Sequence, residues 1–176
     1  MGIWDGTGLA AARIALTLGS QTPPQGLPTE PMKQLPQTGR SRLRFDSLEQ
    51  VTTPDGLGRV AVRLEWHGEM FEGDAPCLQT QQGVLRAAAQ STVIATLAST
   101  RNPEGGTRIG LEVVGVKAVR AFDGWVVVTR INGEAAGEHY RLLGAAPCER
   151  EEDLPGAAVK AVLNASNRIL EQRVAR

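Results

Sequence analysis

The clearest signal in the chain is a change of period. Val60, Val62, Leu64 and Trp66 alternate with Arg63, Glu65 and His67, the period-two pattern of a strand with one buried face. His67-Gly68-Glu69 predicts a turn into a second strand through Met70 and Phe71. After Gly73-Asp74-Ala75-Pro76-Cys77 the apolar period lengthens: residues 82–99 are alanine-rich and carry Leu85, Ala89, Val93 and Leu97 on one stripe, which predicts a helix.

The second half repeats this order with one strand more. Segments 109–121 and 125–131 are dense in Val, Leu and Ile, with Asp123-Gly124 and Asn132-Gly133 placed as hairpin turns. A further strand is expected over 139–143, followed by Gly144-Ala145-Ala146-Pro147-Cys148. Glu151, Glu152 and Asp153 precede a last helix with Pro155 in its first turn, where its missing N–H costs little and the acids complement the helix dipole. Ala158, Ala161, Val162, Ala165 and Ile169 form that helix's buried stripe.

Gly73-Asp74-Ala75-Pro76-Cys77 and Gly144-Ala145-Ala146-Pro147-Cys148 are each expected to join a strand to a helix, and the match in position indicates a duplication. The fold class expected is therefore α+β: a duplicated strand-strand-helix unit, an antiparallel sheet with the two alanine-rich helices packed on one face. The repeats run over about 58–100 and 108–172 within a single domain, 44–176. Ahead of it, residues 1–19 read as a short helix that Thr7 caps and Gly19 ends. Residues 20–43 hold Pro23, Pro24, Pro28, Pro31 and Pro36 among polar residues and read as a linker or arm.

With 176 residues, 41% of them hydrophobic, the chain can bury one good core but not two full domains. Lys plus Arg equals Asp plus Glu at 19 each, so no global field steers it to nucleic acid or an anionic membrane. The apolar stretch around Leu9 to Leu18 is broken by Arg13 and lacks a basic leader, which argues against a signal peptide or a membrane span. Two cysteines make no secreted disulfide framework, and a reducing cytoplasm is the compartment expected.

The candidate chemistry is sparse. Cys77 and Cys148 occupy equivalent places and are open to three readings: a redox pair, metal ligands, or small apolar residues at the head of each helix. The last is favoured, since neither has an activating neighbour fixed by the sequence. His67 and His139 lack ligand spacing and read as surface or edge residues. Ser91 and Thr92 read as helix-packing residues rather than nucleophiles, and the run Glu149 to Asp153 as a solvated cap rather than a cation site. The glycines of Met1 to Gly8 lack the Lys-Ser/Thr of a phosphate loop. No catalytic residue, metal or cofactor is expected. Arg40, Arg42 and Arg44 alternate after the arm and would face one side of an extended chain, an electrostatic footprint for nucleic acid. With aromatics at 4% no stacking platform accompanies it, and a solvated edge is the favoured reading.

Residues 111–170 resemble the C-terminal regulatory domain of the 2-isopropylmalate synthase family and its citramalate and homocitrate-type relatives. The resemblance rests on Leu111-Glu112-Val113-Val114, the hairpin into Val126-Val127-Val128, Gly144, and the ending Ala161-Val162-Leu163-Asn164-Ala165-Ser166-Asn167-Arg168. Segment 60–97 is similar to the family's first half. The resemblance implies two pseudo-symmetric strand-and-helix units, a homodimer, and an amino-acid or 2-oxo-acid effector near the dimer interface. By position, the implied ligand-binding residues are Gly73, Asp74, Ala75, Gly110, Val113, Gly144, Ala145 and Ala146. The family's Gly-x-Gly-Pro becomes Gly73-x-Ala75-Pro76 and Gly144-x-Ala146-Pro147 here, and with no catalytic barrel expected ahead of the domain, synthase activity is not expected either. Two functions follow: a non-catalytic regulatory or small-ligand-binding module, or a scaffold whose N-terminal arm docks on a partner protein or nucleic acid.

Overall fold

Three antiparallel strands and a helix follow one another twice. A computed structural model describes residues 42–101 and 109–174, with the backbone alone for 171–174; all belong to one compact unit. The helix expected over 1–19, most of the Pro-rich arm, and Arg40 lie outside the described residues. The first repeat is β1 (Arg44–Thr52), β2 (Leu57–Trp66), β3 (Glu69–Leu78) and α1 (Gln81–Ser99). The second is β4 (Ile109–Ala121), β5 (Gly124–Ala135), β6 (Glu138–Cys148), one turn of 3-10 helix (Glu151–Asp153) and α2 (Leu154–Val174). Each repeat is its own three-stranded sheet, in the order β1-β2-β3 and β4-β5-β6. The fold is α+β with a duplicated strand-strand-strand-helix pattern. Among the described residues, no helix is long and apolar enough to cross a membrane.

The first repeat thus has a strand more than the alternation of residues 60–71 implies. β1 hides because a bulge at Asp46 breaks its period: Phe45 pairs with Leu64 and Ser47 with Arg63, so the half-buried Phe45 and Leu48 stand three residues apart instead of two. The same device in β4, between Val113 and Gly115, puts the buried Val113 and Val116 three apart.

The hairpins also correct the reading of the turns. His67 (φ 55°) and Gly68 (φ 81°) link β2 to β3 as expected. β4 and β5 are joined by Phe122 and Asp123, one residue earlier than Asp123-Gly124, with Phe122 at φ 54° and fully exposed. Asn132-Gly133 is no turn but lies inside β5; the β5–β6 turn is Ala136 (φ 53°) and Gly137 (φ 80°). A Cβ on Gly133 would come within 3.2 Å of Ile169 Cδ1 on α2, a tight contact.

Segments 73–77 and 144–148 are likewise not junctions; they are the closing residues of β3 and β6. Their glycines face the helices. A Cβ on Gly73 would lie 2.2 Å from the Ser91 carbonyl oxygen and 2.5 Å from the Ala95 nitrogen; on Gly144 it would lie 1.9 Å from the Ala161 carbonyl oxygen. Each helix therefore crosses the last strand of its sheet in backbone contact, with small residues Ser91 and Ala95, or Ala161 and Ala165, at the crossing. Ser91 is fully buried and its Oγ donates to the Val60 carbonyl at 2.7 Å, fixing α1 on β2 as well. Thr80 caps α1 by accepting from the Gly83 N–H at 3.0 Å.

The repeats join by leaning each helix on the other's first strand. Gln82 Nε2 at the start of α1 donates to the Val116 carbonyl of β4 at 2.9 Å, and Asn167 of α2 exchanges hydrogen bonds with the backbone of Leu43 ahead of β1. One core results, with Val60, Val62, Leu64, Leu85, Val127, Ile131 and Val162 at its centre. Each fully buried Val, Leu or Ile contributes about 1.5–3 kcal/mol.

Among the described residues two buried side-chain groups lack a partner, the Trp66 Nε1–H at the core's margin and the Thr129 hydroxyl. Thr129 is fully buried and its hydroxyl has no hydrogen bond; it pairs with Gly144 as Val62 pairs with Gly73. Thr129→Val copies the first repeat and is expected to stabilise the protein by about 1 kcal/mol, by removing an unsatisfied buried hydroxyl. Gly73→Ala and Gly144→Ala are each expected to cost about 3 kcal/mol or more. Gly115→Ala, with open space at its Cβ, is expected to stay within about 0.5 kcal/mol of wild type. Urea unfolding followed by circular dichroism measures all four.

Candidate functional site

The eight residues implied as a ligand site do not converge. Gly73 and Ala75 are buried under α1, while Asp74 points to the outer face of the first sheet, where its carboxylate accepts from Arg59 Nε at 2.7 Å. Gly110 is exposed on β4 opposite Glu134, and Val113 is buried under the helical layer. Ala75 and Ala146 turn their methyls into the core, at 3% and 2% exposure, so neither crowds a surface cleft. Gly144 and Ala145 border a sizeable cavity.

That cavity, about 480 Å³, lies where β6, the free edge of the second sheet, meets α2. Its floor is Leu143, Gly144 and Ala145; its wall is Asn164, Asn167 and Arg168 of α2; Arg42 closes it from the segment ahead of β1. Helical spacing produces the wall, because Asn164, Asn167 and Arg168 stand at i, i+3 and i+4. They flank the stripe Ala161 and Ala165 that packs on Gly144, so the contact that seats α2 also aims these polar groups at the sheet edge.

Their hydrogen bonds hold the wall in shape. Asn164 Nδ2 donates to the Ala145 carbonyl at 2.9 Å, satisfying an edge group of β6. Asn167 Oδ1 accepts from the Leu43 N–H at 3.3 Å while its Nδ2 donates to the Leu43 carbonyl at 3.4 Å, which sets Arg42 at the mouth. Among the described residues the lining carries two guanidiniums, two carboxamides and no acidic side chain. Such a set can bind and orient an anion.

Of the three alternating arginines, Arg42 lines the cavity and Arg44 is exposed on β1 opposite Glu65. The wall residues Asn164, Asn167 and Arg168 are visible in the sequence only as part of a helix ending; their i, i+3, i+4 spacing beside an alanine stripe is the signal that could have found them.

The other candidates fall outside this cleft. Ser91 and Thr92 are fully buried and their hydroxyls bond back to the helix at Ala87 and Ala88. Arg150 pairs with Glu152 at 2.7 Å and Asp153 at 3.1 Å, which neutralises part of the acidic run. Among the described residues no three His, Cys, Asp or Glu side chains gather as a metal site. Cys77 is buried and Cys148 half-buried. Burial pushes the Cys148 thiol above its ordinary pKa and the Asp153 carboxylate adds to this, while Lys160 opposes it.

Taken together, the features define a duplicated α+β domain with a small cationic cleft on one sheet edge. The chain matches no protein-family model and no curated protein.

A raised thiol pKa leaves less thiolate at neutral pH, and the thiolate is the nucleophile. Cys148 is therefore expected to react with iodoacetamide at about pH 7 more slowly than free cysteine, with the rate still climbing above about pH 9. Peptide mapping after timed alkylation measures it.

Proposed function

We propose that this domain is a non-catalytic regulatory module that binds a small carboxylate, an amino acid or a 2-oxo acid, in the cleft between β6 and α2. The observation that carries the reading is the cleft's lining: guanidiniums and carboxamides around about 480 Å³, a volume within the range of small-molecule sites. Arg168 is the anion anchor, since a planar guanidinium matches a carboxylate in a bidentate pair. Asn164 orients the bound molecule against the β6 edge, and the exposed Leu143 offers an apolar contact to a side chain.

The twice-repeated strand-strand-strand-helix order supports kinship with the regulatory domain of the 2-isopropylmalate synthase family, and with it a cytoplasmic setting. In this chain the effector cleft falls at one sheet edge and draws on Arg42 from the segment ahead of the first strand.

Isothermal titration calorimetry of the protein with branched-chain amino acids and 2-oxo acids tests the proposal. At least one is expected to bind with one site per chain, and Arg168→Ala to weaken it by about tenfold or more, the loss typical of a charge-assisted hydrogen bond. Absence of binding by the whole set, or affinity unchanged in Arg168→Ala, would overturn the reading.

A further inference from the structure

The two repeats treat the free edge of their last strand in opposite ways. Gly73 pairs with Val62 and Gly144 with Thr129, so β3 and β6 align residue for residue, with Glu72 matching Leu143 and Asp74 matching Ala145. Glu72 and Asp74 form ion pairs with Arg63 and Arg59, and charges along an exposed edge guard it against pairing with another chain. β6 has neither acid. Leu143 is 63% exposed in the place of one, and Ala145 puts a methyl in the place of the other.

The edge of β6 is also open along its backbone. Ala145 turns its carbonyl away from β5, where Asn164 reaches it from α2. In an antiparallel strand the N–H and C=O of one residue point to the same side, and the side alternates along the chain. The backbone groups of Leu143, Arg141 and His139 therefore face the free edge as well. Val116 agrees with this phase: it pairs with Thr129, the partner of Gly144, and its carbonyl faces the outer edge of β4, where Gln82 covers it. Among the described residues no turn, cap or helix side chain bonds to the backbone of His139, Arg141 or Leu143.

We infer that β6 takes up the C-terminal end of another protein as an added strand, with the terminal carboxylate in the cleft at Arg168. Addition of an extended segment to a sheet edge gives affinity through main-chain hydrogen bonds, and the cleft sets where the ladder stops. Asn164 already occupies the Ala145 carbonyl, so pairing ends at Leu143, and Asn164, Asn167 and Arg168 stand just beyond that end. A chain lying along His139, Arg141 and Leu143 thus delivers one of its ends to the cleft. Among the described residues the lining holds guanidiniums and no acid to pair with an amino terminus, so the end delivered is the carboxylate. β6 runs from Glu138 to Cys148, which makes the added strand parallel to it. Arg141, exposed on this edge, has the sign that draws a carboxylate-ended chain. The added strand rests on the carboxylate anchor of the proposed function and extends it: a chain end replaces the free small acid, and the edge supplies the remaining contacts.

Randomised peptides of about eight residues, a common strand length, arrayed with free carboxyl termini, are the probe for the full chain. The wild type is expected to retain a subset of them. For the tightest of these in solution, amidation of the peptide terminus and Arg168→Ala are each expected to weaken binding by about tenfold or more. Hydrogen exchange of the His139, Arg141 and Leu143 amides is expected to slow in the complex, and to stay unchanged with a free amino acid, which reaches the cleft alone. A single backbone N-methyl moved along the peptide is expected to alternate between loss and retention of binding, because every second N–H faces β6. No peptide retained by the wild type beyond those retained by Arg168→Ala, equal binding of acid and amide, or edge amides that exchange as before would each overturn the inference. Calorimetry with amino acids and 2-oxo acids reads the smaller ligand separately. Small acids that bind where no peptide does leave the proposed function standing and remove the added strand; a peptide that protects the edge where no small acid binds does the reverse.

Discussion

Everything in this domain depends on a backbone-to-backbone crossing made possible by glycine, once in each repeat. At Gly73 and Gly144 the helix carbonyl sits where a Cβ would be, so no other residue permits the approach without moving the helix. Sheets and helices ordinarily meet through side chains; here the helix drops onto the last strand and its flanking residues reach positions they would otherwise overshoot. Ala87, Ala88 and Ala89 in α1 and Ala157, Ala158 and Val159 in α2 are buried in consequence, although alanine alone brings little apolar area. Close approach compensates for small side chains, because packing density rather than residue size sets the dispersion gained.

This crossing explains why two copies are needed. A three-stranded sheet with one alanine-rich helix closes only part of its inner face. The domain solves the problem by exchange: α1 reaches Val116 of β4 through Gln82, and α2 reaches Leu43 ahead of β1 through Asn167. Each helix thereby covers the neighbouring sheet's edge, and the two helices close the core between them.

The strongest elements are legible in the amino-acid sequence. Residues 60–66, both alanine-rich helices and the presence of a duplication all follow from unbroken periods of two or 3.6. The features that stay hidden share one physical cause, a local break in period. Asp46 bulges out of β1, Phe122 takes a positive φ usually left to glycine or asparagine, and Asn132-Gly133 imitates a turn inside β5. The matching pentapeptides illustrate the limit best: Gly73 and Gly144 do carry the duplication, but their role is the helix crossing and not the strand end. The cleft is legible only in part. Gly144, Ala145 and Arg42 stand out along the chain, yet what unites them is α2 passing over β6, a contact between residues twenty and more than a hundred positions apart that no local pattern encodes.

The divergence between the repeats separates fold from chemistry. Where Ser91 and Ala95 match Ala161 and Ala165 at the crossing, the next positions do not match: Ile94, Leu97 and Ala98 in α1 stand where α2 has Asn164, Asn167 and Arg168. Positions that serve packing have kept their character in both copies, because both must seat a helix on a glycine. The differences at this sheet edge fall on exposed or half-buried positions in α2, where packing imposes less. An asparagine pair and an arginine gain no core stability there over Ile94, Leu97 and Ala98. Asn164 and Asn167 bond to backbone groups of Ala145 and Leu43, and Arg168 adds an exposed guanidinium. A polar set kept where packing gains little from it is the physical reason to read the asymmetric end of the domain as its functional end.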